Sequence, residues 1–526
     1  MSSRTKAYDV SEGPSAREEA ELEAAWQRLH PRMVVVSVSW LAGPTVPLVG
    51  TMTLAAGRLN AHGWIALGSY IVVAAVQAGH EWVRYRTTRF RFTDRKVELQ
   101  SGLLFRKEKS IPRDRVRSAD LTANPVHRLF GLAAVKIGTG EHQGRDEDEH
   151  LVLDGISREQ AVQVRALLLR QAPGDAGTAP ELPVRLARMR WTWARYAPLT
   201  FTTLAGVMAV FIGLSKLLDT FGIDITKLGT ARAVWDWLSS LPAAVAVAVV
   251  IAVLLAIGVA GALVAFAEAW FGHRLEREPG GSLHMTRGLL TSRSVSVEER
   301  RIRGVEIVQP LPLRWARAAR VNILATGLSR RGSHLTHPAQ LLPAAPLAAV
   351  HEVTAKVLHD VASPIAEAVL HGHPRAALRR RLLRGCLLLP ATVAAVLGGI
   401  AATGLLPWWS LGGAAPLVPL GALFARDAYR GLGHGLTEGY VVVRQGTFVR
   451  RTVALRRDGI IGWRGRQSYF QRRAGLLTLS ATTAAGRGVV RIPDMDAVEA
   501  LRFASVAVPG LLDPFMERTQ AGALPH

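Results

Sequence analysis

At 526 residues the chain exceeds one ordinary domain of about 100–200 residues, so several units are expected. Hydrophobic residues make up 49% of it and charged residues 20%, which fits only if long apolar runs alternate with Arg-rich stretches. The net charge of +23 would raise nucleic-acid binding in a soluble protein, but cytoplasmic flanks of membrane spans also collect Lys and Arg. A single cysteine, Cys386, excludes an intrachain disulfide and a cysteine-built metal site.

Residues 1–30 are polar, of mixed charge, and unlike a signal peptide; they read as a cytoplasmic tail. Apolar stretches near the bilayer-spanning length of about 20 residues then follow in pairs. The first hairpin, 31–83, holds Met33–Ala56 and Gly63–Trp82; the second, 181–271, holds Ala197–Leu218 and Leu238–Phe271; the third, 363–425, holds Leu382–Leu406 and Trp408–Phe424. About six spans are therefore expected, with Pro44, Pro47, Pro416 and Pro419 marking the first and last as kinked or re-entrant. Polar segments follow each hairpin, at 84–180, 272–362 and 426–526. Basic residues crowd the flanks, as in Arg379, Arg380, Arg381 and Arg384, and are sparse in the hairpin loops, which predicts a cytoplasmic N-terminus and cytoplasmic polar segments.

The polar segments repeat one pattern. Aligned on the turn glycines Gly102, Gly288 and Gly446, they carry Ile111, Val297 and Leu455 nine residues on, and Arg128, Arg314 and Arg472 at 26 residues. Gly131 and Gly475 coincide at 29, where the second copy has Arg317. Alternation of apolar and polar residues, as at Phe90, Phe92, Val97 and Leu99, predicts strands joined by tight turns. A helix is expected to close each copy: from the capping box Ser157–Gln160 to about Arg170, over Pro346–His359, and over Asp494–Ala507. Curved strands followed by one helix is the order of a pleckstrin-homology-like split barrel. The fold expected is thus helical membrane hairpins plus three small β-rich PH-like barrels, each capped by a C-terminal helix.

The run F-T-D-R…V-x-L-x-S-G-L-L-F-R…I-P-R-D-R-V at Phe92–Val116, followed by H-R-L-F-G-L-A at His127–Ala133, resembles the bacterial PH domain membrane proteins in their three-domain form. The resemblance covers nearly the whole chain beyond the tail; the second copy departs at Arg317, and the third has Gly459 where the first has Arg115. It implies PH-like barrels on membrane hairpins in the bacterial cell membrane, no catalysis, and a smaller companion with one such domain. It further implies a role in envelope stress or resistance to membrane-active peptides.

Basic residues of the strand-loop regions are the candidate surface for anionic lipid or a partner: Arg106, Lys107, Lys109, Arg113, Arg115 and Arg117 in copy one, Arg300, Arg301 and Arg303 in copy two, and Arg450, Arg451, Arg456 and Arg457 in copy three, with Arg464 and Arg466 beyond them. The Arg-x-x-Gly element at Arg128–Gly131 and Arg472–Gly475 reads as structural, the glycine serving a turn. His334 with His337 and His371 with His373 lack a third ligand or the spacing of a catalytic metal site, and no phosphate loop or nucleophile elbow is present. No enzyme, cofactor, metal or nucleic-acid partner is expected. The reading is a membrane-anchored scaffold that binds membrane lipids and a single-PH-domain companion or further copies of itself. Its rival is a transporter or exporter component whose hairpins form a pathway, to be recognised by burial and pairing of Lys216 and Glu268.

Overall fold

A computed structural model describes residues 26–37, 39, 61–93, 95–102, 107–112, 118–138, 150–169, 183–200, 229–279, 281–326, 340–486, 488–512 and 514. The chain divides into two compact units, whose boundary near residue 300 falls inside the second repeat.

In the first unit β1 (Gln27–Arg28), β2 (Arg89–Phe92), β3 (Lys96–Ser101) and β4 (Lys107–Pro112) form an antiparallel sheet in chain order. Next come β5 (Ser118–Ala123), β6 (Leu132–Gly138), β7 (His150–Ser157) and helix Arg158–Leu169. Alternation decides the packing: Phe90, Phe92, Val97 and Ile111 point to one side of the first sheet and bury against Leu121, Val135, Ile137, Leu153 and the helix residues Ala161 and Val164. The helix starts where its capping box predicts, the Gln160 amide donating to Ser157 Oγ at 3.1 Å while Gln160 Oε1 accepts from the Ser157 amide at 3.3 Å.

The second repeat contributes β8 (Val184–Arg188), β9 (Arg274–Glu278), β10 (Ser282–Arg287) and β11 (Ser292–Glu298) to this unit. They continue the sheet of the first repeat's second half, giving the seven-stranded order β7-β6-β5-β11-β10-β9-β8. The second unit repeats the arrangement. Its strands are β12 (Ile302–Pro310), β13 (Ala318–Ala325), β14 (Gln340–Pro346), β15 (Gly433–Leu436), β16 (Tyr440–Gln445) and β17 (Val449–Arg456), joined as β14-β13-β12-β17-β16-β15. Finally β18 (Gly462–Arg466), β19 (Leu476–Thr482) and β20 (Val489–Asp496) form a separate three-stranded sheet. Val441, Val443, Val453 and Leu455 of one sheet pack with Leu479, Ala481 and Ile492 of the other and with Ala500 and Ala504 of helix Ala497–Ala507. That helix begins three residues later than expected, because Asp496, not Asp494, caps it by accepting from the Val498 and Glu499 amides.

The turn glycines have a common cause. Gly102, Gly288 and Gly446 hold φ of 113°, 112° and 105°. A Cβ on Gly288 or Gly446 would stand 2.0 or 2.1 Å from the carbonyl oxygen three residues ahead.

Backbone pairing joins the two sides of each hairpin: Gln27 with Phe90 and Val184 with Arg277 between strands, and His371 with His434 as an isolated bridge. Each intervening segment therefore leaves and returns at one place. Among the described residues three helices, rather than six, are long and apolar enough to cross a membrane: Ala243–Trp270, Arg375–Ala402 and Trp408–Arg430. Met33–Ala56 and Ala197–Leu218 lie, beyond their first few residues, outside the described residues. Helix Ala61–Thr87 covers the stretch expected at Gly63–Trp82 but is not one of the three.

Helix Arg375–Ala402 widens into a π-turn at Arg384–Leu388, just before Pro390, which has no amide to offer the carbonyl of Cys386. Pro416 precedes and Pro419 sits in the first turn of helix Leu417–Arg430, where a missing amide is tolerated. These two helices approach closely because both carry glycine at the crossing: a Cβ on Gly421 would lie 2.2 Å from the Gly385 oxygen, and one on Gly385 2.6 Å from the Gly421 oxygen.

Candidate functional site

The close crossing at Gly385 and Gly421 brings the base of the third hairpin to one wall of a cavity of about 960 Å³. Its other wall is the outer face of the last sheet. Register settles that face: Trp463 and Gly465 pair with the core residues Ala481 and Leu479, so Arg464 and Arg466, opposite Ser480 and Thr478, turn away from the core. Arg380, Arg381 and Arg384 from the hairpin join Arg464, Arg466 and Arg491 around the cavity, while Leu389, Phe424 and Val489 supply an apolar lining.

One carboxylate answers these cations. Asp494, 3% exposed and held at φ 62°, accepts from Arg380, from Arg381 Nη2 at 3.4 Å and from Gln471 Nε2 at 2.9 Å. The Nε atoms of Arg380 and Arg381 are buried without a hydrogen-bond partner among the described residues. The lining is thus strongly cationic beside an apolar wall, which is the chemistry of a phosphate group attached to hydrocarbon. A second cavity of about 830 Å³ in the first unit has a similar mixture, with Arg128, Arg158 and Arg293 beside Leu129, Phe271 and Leu289.

The basic residues singled out from sequence do not gather in one place. Arg106, Arg113, Arg115 and Arg117 lie outside the described residues, as does the side chain of Lys107. Lys109, Arg300 and Arg301 each engage a partner within the fold. Arg303 pairs with Asp458 at 3.5 Å, Arg451 with Glu306 at 2.8 Å and Arg456 with Asp458 at 3.9 Å. Arg457 donates to the Ala507 and Val506 carbonyls at the end of the last helix. Arg450 reaches Asp427 at 3.5 Å. Copies two and three thus spend most of these cations on internal ties; Arg464 and Arg466, also marked from sequence, line the cavity together with hairpin-flank arginines that sequence charge bias marks only for orientation.

The repeated arginine ties neighbouring copies together. Arg128 donates to the Leu289 carbonyl, one residue past the turn glycine of the next copy. Arg314 donates to the Thr447 carbonyl, the equivalent position, at 3.1 Å, and grips Asp427 with both terminal nitrogens at 2.9 and 2.7 Å, which pushes its own pKa up. Gly131 and Gly475 hold φ of 68° and 65°, and Arg317 takes the same left-handed conformation at φ 51°.

Histidines 371 and 373 acquire a neighbour that spacing did not reveal. His434 Nδ1 lies 3.4 Å from His373 Nε2, and its Nε2 lies 3.2 Å from Glu499. Burial pushes both imidazoles down to about 4. No group of three or more His, Cys, Asp or Glu able to hold a metal occurs among the described residues. Glu268 accepts from the Leu290 and Thr291 amides at 2.8 and 2.9 Å, capping a turn, and Lys216 lies outside the described residues.

Neither curated proteins nor solved structures give a significant match to the chain. The family model for the bacterial PH domain matches three times, over residues 47–172, 199–361 and 386–506, each match running from an apolar stretch of the sequence into a strand-rich one. Those matches span most of the 526 residues and coincide with the three copies of the strand-turn-strand pattern, so the chain belongs to the bacterial PH domain family, in a form with three such domains.

Proposed function

We propose that the chain is a multi-pass membrane protein with a non-catalytic binding role, whose third PH-like domain holds the phosphate-bearing headgroup of an anionic lipid in the cavity beside the third hairpin. The observation that carries this reading is the cavity itself: Arg464, Arg466 and Arg491 facing the hairpin arginines, with Leu389 and Phe424 on the apolar side. Backbone pairing across each hairpin supports an even number of crossings, with the domains at 84–180, 272–362 and 426–526 on the cytoplasmic, Arg-rich side. Helix Ala243–Trp270, 28 residues and about 42 Å long, exposes Val253, Leu255 and Ile257 and suits a bilayer core of about 30 Å with some tilt.

Purified protein in nanodiscs of mixed phosphatidylcholine and phosphatidylglycerol tests the site by counting lipids retained after transfer to detergent. Wild type is expected to retain phosphatidylglycerol, and Arg464→Glu with Arg466→Glu to lose it. Equal retention by both proteins would sink the headgroup reading.

A further inference from the structure

Two joints inside the chain define a rule for its ends. In the first, β5 pairs with β11 so that Ser118 faces Val297; in the second, β12 pairs with β17 so that Gly304 faces Leu455. Val297 and Leu455 each stand nine residues past their turn glycine, and Ser118 and Gly304 each stand ten before their repeated arginine. The joints therefore share one register, and each is clasped by an arginine reaching past the next copy's turn glycine. Among the described residues the two strands that occupy joint positions in the repeat without a joint partner are β4, the counterpart of β11 and β17, and β18, the counterpart of β5 and β12; each ends its sheet.

The tail bears the marks of an unfilled joint. Arg464, Gly465 and Arg466 of β18 are exposed, whereas their counterparts in β12 are covered, Glu306 half-buried and Ile307 and Val308 buried. Arg472, the counterpart of Arg128 and Arg314, is exposed, and its side chain makes no hydrogen bond among the described residues.

We infer that β18 is a docking edge for the β4 strand of a second copy of this chain, antiparallel, with Ile111 facing Gly462. The repeat fixes the rest: Lys109 faces Arg464 and Glu108 faces Gly465. Backbone hydrogen bonds supply the attraction, as in other strand additions, and the contact is heterologous, so it propagates head to tail into a ring or a row in the membrane plane. Like charges opposite one another resist closure. Arg464 also lines the cavity, so a phosphate seated there offsets the repulsion between it and Lys109; this part rests on the lipid reading above.

The test uses full-length protein in a Cys386→Ser background, one sample carrying Glu108→Cys and the other Gly465→Cys under different tags. Mixed in vesicles and oxidised, they are expected to give a disulfide-linked dimer bearing both tags, at least tenfold above an off-register pair of Glu108→Cys with Arg473→Cys. Phosphatidylglycerol vesicles are expected to give several times more dimer than phosphatidylcholine vesicles. Absence of the mixed dimer in both lipids overturns the joint. Closure of a doubly substituted chain on itself, with no dimer, assigns the edge to the chain's own β4 and equally overturns it. Equal dimer in both lipids removes the phosphate from the joint, and lipid retention without dimer leaves the headgroup site standing alone. Arg472→Glu, on an exposed side chain, is expected to abolish the dimer while leaving the thermal midpoint unchanged; an undiminished dimer removes the arginine clasp.

Discussion

Replacing Arg314 with alanine removes two hydrogen bonds to the Asp427 carboxylate, at 2.9 and 2.7 Å, and one to the Thr447 carbonyl at 3.1 Å. A hydrogen bond to a charged group contributes about 1.5–3 kcal/mol, and breaking a buried pair costs about 3–5 kcal/mol. The Arg314 and Asp427 side chains are 16% and 30% exposed and Arg450 stays near Asp427, so water and a second cation recover part of the loss. The net cost is about 2–3 kcal/mol, a fall of about 5–10 °C in the unfolding midpoint of a unit this size. Thermal unfolding in nanodiscs measures it, with two comparisons built in. Arg472→Ala, the same repeat position on an exposed surface, should change stability by less than about 0.5 kcal/mol. A double-mutant cycle with Asp427→Ala should return a coupling above about 1.5 kcal/mol. Equal effects at Arg314 and Arg472, or additive behaviour of Arg314 and Asp427, would refute the reasoning.

Burial holds His373 and His434 at about 4, below the ordinary 6.5, so the unfolded chain binds protons that the folded one refuses. Stability is full above about pH 6.5 and falls as pH drops toward 4, by up to about 3 kcal/mol per histidine, and His434→Phe should flatten that slope in pH-dependent melts. Gly421→Val drives a side chain into the Gly385 carbonyl and should cost about 1–3 kcal/mol, read as a lowered midpoint together with loss of the lipid retention proposed for the cavity. Gly446→Ala meets the Val449 carbonyl at a φ of 105° and should destabilise the third domain by more than 1 kcal/mol on the scale of strained turns, whereas Arg317→Gly relieves a left-handed residue and should raise the midpoint slightly.

The repeat, the strands and the closing helices were legible because each rests on local rules. Alternation at Phe90, Phe92, Val97 and Leu99 marks a half-buried strand, and Ser157 with Gln160 marks a helix start. The cavity was not legible, because its arginines belong to segments far apart in sequence, Arg380 with Asp494 and Arg464 with Arg384, and nothing in their spacing says that they meet. Nor could alternation reveal that β5 pairs with β11: an inward-facing residue is the same whether the neighbouring strand comes from its own copy or the next. His434 illustrates the third kind of miss, since it stands 61 residues from His373 and only β15 brings the two together.

The pairing of β8 with β9 across the second hairpin also constrains how the protein is made. During synthesis β8 emerges first and stays unpaired until the intervening segment has been made and β9 follows. A hairpin that crossed the bilayer once would leave the two strands on opposite sides, with an open sheet edge and an uncovered core in each compartment. On the proposed membrane reading, sheet closure reports correct insertion, because a misthreaded chain would keep unpaired strand edges open to aggregation.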